Sequence, residues 1–233
     1  MTEIKALIFD KDGTLFDFAQ TWQCWADGFL LRLAKGDRSA AERYGQAIGY
    51  DLAARRFARD SIVIAGTPGE VTEALMPFFP DWTAEALELI LNEEAAGVPQ
   101  YPAVPLEPLF GEFLARGLRL GVATNDAEAP ALAHLGAAGI IQHFDFIAGY
   151  DSGFGGKPAA GQLLAFASHV ELAPAQIAMV GDSTHDLQAG RLAGMSTVAV
   201  LTGLAEQAEL APFADIVLPN IGGIPGWLDQ RGT

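Results

Sequence analysis

Two carboxylates lie two residues apart at the point where an apolar stretch of the chain ends. Residues 7–9 are Leu-Ile-Phe, and Asp10, Lys11 and Asp12 follow directly. In an extended segment, side chains at positions i and i+2 point to the same side. We therefore expect Asp10 and Asp12 to face one site and Lys11 to point away from it. Paired carboxylates can bind a metal ion, and either can serve as a nucleophile or as an acid and base.

Three more polar clusters follow apolar runs further along the chain. They are Thr124-Asn125-Asp126, the pair Lys157-Pro158, and the segment from Asp182 to Asp186. Taken singly, the first and third are also typical of helix N-caps. Lys157 has no such structural explanation. Pro158 is a predicted first helical residue, which would place Lys157 at the N-terminus of a helix. A cation at a helix N-terminus is unfavourable unless an anion shares the site.

Together the four clusters supply what phosphoryl transfer requires. Asp10 and Asp182 offer carboxylate oxygens, and a site without a His or Cys cluster suits a hard cation such as Mg²⁺. Thr124 and nearby backbone amides can hold an anion, while Lys157 supplies a positive charge. Phosphoryl transfer depends mainly on positioning and charge neutralisation. The four clusters therefore predict a magnesium-dependent phosphoryl-transfer site.

Short apolar runs and helix-like segments alternate along most of the chain and must position these clusters. Helical segments at 106–116, 128–138 and 186–193 are each followed by a glycine, a common signal for a helix end. The alternation predicts an α/β fold, a Rossmann-like parallel sheet flanked by helices, in which ligands bind outside the carboxyl ends of the strands. The predicted strands are residues 4–9, 118–123, 144–148, 177–180, 197–201 and 215–218.

One interval, residues 17–97, carries helical patterns and no convincing strand. Thr67-Pro68 is a typical helix start, and a second helix begins after Asp81-Trp82-Thr83 and ends at Gly97. A proline-rich segment then leads back to the alternating pattern. We therefore predict an α/β core formed by residues 1–16 and 98–233, with an inserted all-helical domain at 17–97.

Composition excludes several classes of protein. The chain has 233 residues, is 50% hydrophobic and carries a formal net charge of −15, which argues against binding to nucleic acid, a polyanion. No apolar run approaches the ~18 residues of a membrane span. The N-terminal residues do not resemble a signal peptide, so we expect a cytoplasmic protein with no membrane partner. The single cysteine, Cys24, cannot form an internal disulfide and is expected to be buried in a helix.

The motifs resemble those of a known superfamily. DKDGTLFD (10–17), VATND (122–126), GKP (156–158) and GDSTHD (181–186) are similar, in order and approximate spacing, to the four motifs of haloacid dehalogenase superfamily hydrolases. The insert stands where that superfamily has its helical cap domain. The layout is most similar to phosphoglycolate phosphatase-like enzymes, which implies a phosphatase.

The resemblance implies a role for each motif residue. Asp10 would be the nucleophile and form an aspartyl-phosphate, and Asp12 would protonate the leaving alcohol and then activate water. The carboxylates of Asp10 and Asp182 and the backbone carbonyl of Asp12 would hold Mg²⁺, and Asp186 would support them.

The second and third motifs would bind and neutralise the phosphoryl group. Thr124 and Asn125 would contact phosphate oxygens, with Thr124 counted among the catalytic residues. Lys157 would bind phosphate and position Asp10. In many relatives the residue at Lys11 is apolar, and we expect this lysine to be incidental.

Several reactions remain open at this stage. A halide leaves without a proton, so the second carboxylate, Asp12, favours phosphoester cleavage over dehalogenation. Schiff-base cleavage of phosphonates would need an insert lysine, and Lys35 is the only one. A sugar phosphomutase is the main enzymatic alternative. A receiver-like signalling module with a phosphorylated aspartate is the non-enzymatic one.

The expected partner is a small phosphomonoester, and the sequence gives no indication of the oligomeric state. Phosphoglycolate is the best substrate hypothesis, because an arginine of the RRFAR cluster could bind its carboxylate. The candidates are Arg55, Arg56 and Arg59. Long basic side chains on a helix more often form a solvated face.

Overall fold

The computed structural model describes residues 2–231, in which strands and helices alternate. The strands are β1 (Ala6–Phe9), β2 (Tyr50–Asp51), β3 (Arg56–Phe57), β4 (Arg119–Ala123), β5 (Phe146–Ala148), β6 (Ile177–Gly181), β7 (Ser196–Val200) and β8 (Ile216–Leu218). The helices are α1 (Phe18–Leu33), α2 (Arg38–Ala47), α3 (Ile62–Ala65), α4 (Pro68–Leu75), α5 (Ala84–Ala96), α6 (Leu106–Ala115), α7 (Glu128–Ala137), α8 (Gly161–His169), α9 (Thr184–Ala193), α10 (Gln207–Leu210) and α11 (Ile224–Arg231).

Six of the strands form one sheet in the order β5-β4-β1-β6-β7-β8. Every neighbouring pair in it runs parallel, so the predicted parallel α/β sheet is confirmed. Its strands begin and end within two residues of the predicted limits. β1 lies between β4 and β6, and Phe9 at its end is in register with Val122 and Val180. The residues that follow these three strands therefore emerge at one edge of the sheet.

Apolar side chains fill both faces of the sheet, as expected for a sheet covered by helices. Leu7 and Phe9 of β1 belong to one hydrophobic cluster, with Phe110 of α6. Ala6 and Ile8 of the same strand belong to another cluster on α8 and α9. Because strand side chains alternate between faces, β1 connects both halves of the core and is held rigidly at the site edge.

The insert has a hydrophobic core of its own. The buried members of that cluster all lie between Phe18 and Ala95, which supports the proposed division into a core and an inserted domain. Besides five helices, the insert contains the antiparallel pair β2–β3, in which Tyr50 is opposite Phe57. This hairpin was not predicted, because two-residue strands are too short to show a period-2 pattern.

Two predicted helix starts in the insert are confirmed, whereas the predicted burial of one residue of its first helix is wrong. Thr67 forms a capping box with Glu70, and the Thr83 hydroxyl accepts from the backbone N–H of Ala86 at 3.3 Å. Cys24 was expected to be buried but is exposed. It lies on the opposite side of α1 from Trp25 and its buried neighbours.

Among residues 2–231, no helix is both long and apolar enough to cross a membrane.

Candidate active site

A cavity lies between the carboxyl edge of the sheet and the insert. Its empty volume is about 610 Å³, including the part that opens to solvent. All the site residues predicted from the sequence line this one cavity: Asp10, Asp12, Thr124, Asn125, Lys157, Asp182 and Asp186. They come together because β1, β4 and β6 end at the same edge.

Lys157 connects two of the carboxylates. Its Nζ donates to Asp10 Oδ1 and to Asp186 Oδ1, both at 2.6 Å, and all three side chains are buried. Burial by itself lowers the pKa of Lys157, but the charges of Asp10 and Asp186 outweigh burial and raise its pKa above the ordinary value. Lys157 is therefore a fixed ammonium ion at the site.

The explanation of Lys157 from the helix N-terminus is wrong. The helix after it, α8, begins at Gly161 and not at Pro158, so Lys157 lies in the preceding loop. Its positive charge is compensated by Asp10 and Asp186.

Three carboxylates are crowded around this ammonium ion. Oxygens of Asp10, Asp182 and Asp186 lie within 4.8 Å of one another, and all three residues are buried. Burial raises the pKa of Asp10 to about 7, although Lys157 lowers it. Burial, followed by the charges of Asp10 and Asp186, also raises the pKa of Asp182 well above its ordinary value. This excess of buried negative charge and all-oxygen donors fits a divalent cation such as Mg²⁺.

The carboxylate of Asp182 lies against two glycines. A Cβ atom at Gly13 would be 2.3 Å from Asp182 Oδ2, and one at Gly203 would be 1.6 Å from it. Gly13 also has φ of +78°, a conformation that side chains disfavour. Larger residues at either position would displace Asp182. Gly203 belongs to none of the motifs.

Asp186 has a second role besides its contact with Lys157. Its Oδ2 accepts from the Ser183 backbone N–H at 3.0 Å and from the Ser183 hydroxyl at 2.7 Å. Ser183 is the N-cap of α9 and accepts in return from the Asp186 N–H. The helix capping expected from the sequence therefore applies to Asp186, and the same side chain contacts Lys157. Asp186 holds Lys157 from a fixed helix start.

Lys11, expected to be incidental, is fully buried and contacts Asp12. Its Nζ lies 2.8 Å from Asp12 Oδ1 and 3.2 Å from Asp126 Oδ2. The alternation rule fails here because the chain turns directly after β1, where the Leu15 N–H donates to the Lys11 carbonyl at 2.9 Å. The charges of Asp12 and Asp126 outweigh burial and raise the pKa of Lys11.

The contacts of Lys11 continue to the insert through His134. Lys11 Nζ is 2.9 Å from His134 Nδ1, and His134 Nε2 is 2.8 Å from the Ala95 carbonyl at the end of α5. Because a lysine ammonium only donates, Nδ1 must accept, and Nε2 carries the proton donated to Ala95. Burial, and then the charge of Lys11, lowers the pKa of His134 to about 4, so the ring is neutral.

The second motif builds the loop around Lys157. Asn125 Nδ2 donates to the Lys157 carbonyl at 2.9 Å and to the Ala65 carbonyl of the insert at 2.8 Å. Asn125 Oδ1 accepts from the Lys157 N–H at 2.8 Å. The Thr124 hydroxyl accepts from the Asp126 N–H at 3.0 Å. The phosphate contacts of Thr124 and Asn125 stay predictions.

The arginines of the RRFAR cluster lie outside the cavity. Arg55 is exposed and its Nε is 2.6 Å from Asp27 Oδ2. Arg56 lines a separate surface cavity beside the β2–β3 hairpin. Arg59 forms an ion pair with Glu206 and lines an adjacent opening. None of the three lines the cavity that contains the carboxylates.

Known proteins resemble this chain over nearly its whole length. Residues 4–194 match the family model described as haloacid dehalogenase-like hydrolase. A phosphoglycolate phosphatase of Rhodospirillum rubrum is 30% identical, covering 96% of this chain and 90% of the relative. The probable phosphatase IndB of Dickeya dadantii is 39% identical, covering 88% and 84%. The crystal structure of a predicted phosphoglycolate phosphatase from Haemophilus somnus has a TM-score of 0.72 at 20% identity, covering 97% and 99%.

Proposed function

Because this chain belongs to the haloacid dehalogenase-like hydrolase family, we propose that it is a magnesium-dependent phosphatase that acts through an aspartyl-phosphate on Asp10. Three curated relatives of 30% identity, each covering 94% or more of this chain, are phosphatases, so the chain is a hydrolase of phosphoric monoesters and not a signalling module. The proposed substrate is a small phosphomonoester.

One observation supports this chemistry above all others. Lys157 contacts Asp10 and Asp186 while Asp182 lies beside them, all at the end of β1 and its neighbours. A nucleophilic carboxylate, a fixed cation and a set of oxygen donors are the groups that phosphoryl transfer needs in one place. Asp12 lines the same cavity.

In the first step Asp10 attacks the phosphorus atom. An Asp10 carboxylate oxygen forms a bond to phosphorus while the ester oxygen leaves, and Asp12 gives this oxygen a proton. Lys157 keeps Asp10 oriented and offsets the negative charge of the incoming phosphoryl group. Thr124 and backbone amides of the 124–126 loop bind the phosphoryl oxygens.

In the second step water releases the phosphoryl group. Asp12, now a carboxylate, takes a proton from the water, whose oxygen attacks the phosphorus and frees Asp10. Asp10, Asp182 and the backbone carbonyl of Asp12 would hold Mg²⁺, and Asp186 would fix their surroundings. When bound, Mg²⁺ supplies positive charge to the phosphoryl oxygens.

The insert covers this site at the carboxyl edge of the sheet. Asn125 contacts Ala65, His134 contacts Ala95, and Tyr150 donates to Glu88. These contacts between core and insert hold the insert over the carboxylate cluster.

Phosphate release from a panel of phosphomonoesters tests the proposal. The panel includes phosphoglycolate, sugar phosphates and nitrophenyl phosphate, each with Mg²⁺ and with chelator. We expect Mg²⁺-dependent release of inorganic phosphate from at least one ester. A phosphomutase would move phosphate to a second hydroxyl without net release. That result, or no turnover of any ester, would overturn the proposal.

A further inference from the structure

The walls of the cavity differ sharply between core and insert. The core contributes the groups of the proposed reaction, including Asp10, Asp12 and Lys157. The insert contributes an almost entirely apolar surface. Its apolar side chains there include Phe18, Trp22, Trp25, Ile64, Val71 and Leu91, together with Val63. The part of a substrate that extends from the phosphoryl group must contact this surface.

The aromatic part of this surface is rigid. Trp22 and Trp25 have ring centroids 5.2 Å apart at 76°. Trp25 is stacked on Phe29 at 4.8 Å and 13°, and Phe18 lies 6.3 Å from Trp22. Such edge-to-face and stacked arrangements fix the ring orientations. A flat group can therefore pack against a preformed aromatic wall.

The two indoles also carry unused hydrogen-bond donors. Trp22 and Trp25 are 7% and 3% exposed, and neither Nε1 atom has a hydrogen-bond partner among the described residues. Buried indole N–H groups usually have an acceptor. Both nitrogen atoms are themselves buried, so a ligand in the cavity contacts the carbon atoms of the indole rings.

The charge of the cavity disfavours a second anion on the substrate. Among its lining residues within 2–231, Lys157 is the only lysine or arginine, and its Nζ already contacts Asp10 and Asp186. The one histidine in this lining, His185, lies on the core side in α9 and not on the insert wall. Arg59 lines an adjacent opening but forms an ion pair with Glu206. A substrate carboxylate would be desolvated against an apolar wall without a partner, which is strongly unfavourable.

We propose that the leaving group of the substrate is an uncharged aromatic or heteroaromatic group and not a carboxylate. Its ring packs on Phe18, Trp22 and Trp25 through apolar contact. This inference rests on the proposed function, because the insert selects a leaving group only if the core transfers the phosphoryl group to Asp10. The insert then determines specificity through apolar contact.

Two esters that differ in one group test the inference directly. Benzyl phosphate and phosphoglycolate both have the form R–CH₂–O–phosphate, with R a phenyl ring or a carboxylate. We expect kcat/KM to be at least about 10²-fold higher for benzyl phosphate, because its phenyl ring is buried against apolar side chains whereas the carboxylate of phosphoglycolate is buried without a partner. Equal values, or a preference for phosphoglycolate, would overturn the inference. Cyclohexylmethyl phosphate, whose ring is not aromatic, is the third ester. Equal kcat/KM values for this ester and for benzyl phosphate would overturn the claim that the leaving group is aromatic.

Binding of uncleavable analogues separates this inference from the proposed function. Calorimetry compares 2-phenylethylphosphonate with 3-phosphonopropionate, the isosteres of the two esters. Tighter binding of the phenyl compound without hydrolysis of any ester would support the inference and refute the phosphatase mechanism. Hydrolysis of esters with tighter binding of the carboxylated compound would do the opposite. Binding of neither would overturn the inference.

Two variants place the selectivity in the insert. Trp25→Leu should lower the benzyl-to-phosphoglycolate ratio of kcat/KM by roughly 10-fold or more, whereas Trp82→Leu, at an exposed tryptophan of the insert, should leave it unchanged. If Trp25→Leu does not fold, Val63→Arg gives the answer, since Val63 is half-buried and lines the cavity. Its new cation should raise relative turnover of phosphoglycolate. An unchanged ratio in both variants would overturn the inference.

Discussion

Replacement of Lys11 by methionine removes the only cation that contacts Asp126 and the side chain of Asp12 among the described residues. Lys11 is 0% exposed and lies 2.7 Å from Asp12 Oδ2 and 3.2 Å from Asp126 Oδ2. Methionine has a similar length and no charge, so the variant leaves little empty volume. It leaves two neighbouring carboxylates without a counter-charge, and one of them, Asp126, is buried.

The loss of stability follows from that uncompensated charge. Removing one partner of a buried ion pair costs about 3–5 kcal/mol of unfolding free energy. Typical domains have about 5–15 kcal/mol in total, so Lys11→Met should be severely destabilised. Replacing Asp126 by asparagine removes one of the two uncompensated charges. The double variant Lys11→Met/Asp126→Asn should therefore regain part of the lost unfolding free energy.

The loss should depend on pH in a defined direction. Burial raises the pKa of Asp126 to about 6, above its ordinary value, while Lys11 lowers it. A carboxyl whose pKa is raised on folding destabilises the protein as pH rises through that pKa, because the folded state holds the proton more tightly. Without Lys11 the pKa of Asp126 rises further. The difference between variant and wild type should therefore be larger at about pH 8 than at about pH 5.

Urea unfolding in the presence of EDTA measures this difference without a contribution from metal binding. Lys5→Met is the matched control, since Lys5 is half-exposed and lies 3.9 Å from Glu3, and it should change stability by at most about 0.5 kcal/mol. A Lys11→Met protein within about 1 kcal/mol of wild type at both pH values would refute the assigned role of Lys11.

Three further predictions concern turnover. EDTA should abolish phosphate release and Mg²⁺ restore it, whereas Ca²⁺ should not, because it prefers longer bonds and looser coordination; full activity in chelator contradicts the metal site. Asp12→Asn should slow attack on benzyl phosphate by about 10²–10⁴-fold, but affect nitrophenyl phosphate less, since nitrophenolate leaves without a proton; equal single-turnover losses remove Asp12 from the acid role. Arg59→Ala should change kcat/KM for phosphoglycolate by no more than about 2-fold, as should the control Arg38→Ala at an exposed position of α2. A loss of phosphoglycolate turnover in Arg59→Ala alone would instead show that Arg59 binds the substrate carboxylate.

The sheet was predictable because its four central strands are buried on both faces. Uninterrupted apolar runs of three to five residues between glycine-ended helices leave few alternatives. The exposure of Cys24 was also available from the sequence. Trp22, Trp25 and Phe29 are spaced i, i+3 and i+7 and are all buried, so a helix that buries them turns Cys24 to solvent.

The position of the motif residues was predictable, but their partners were not. Parallel strands bring Asp10, Thr124 and Asp182 to one edge whatever the sequence between them. The contact of Lys11 with His134 joins residues far apart in the chain, and it depends on a turn that no alternation rule describes. The tryptophans of α1 could not be assigned to the cavity, because an apolar helix stripe has the same spacing whether it covers a core or a ligand.

Phosphorylation of Asp10 is the central claim, and peptide mass spectrometry after acid quench tests it most directly. Asp12→Asn is the protein to use, because it retains the nucleophile and loses the base that releases the phosphoryl group. After mixing with nitrophenyl phosphate and Mg²⁺, one phosphoryl group should be found on Asp10, and Asp10→Asn should show neither this modification nor turnover while its circular dichroism stays that of the wild type. A phosphoryl group on another residue, or turnover by a folded Asp10→Asn protein near the wild-type rate, would contradict the account.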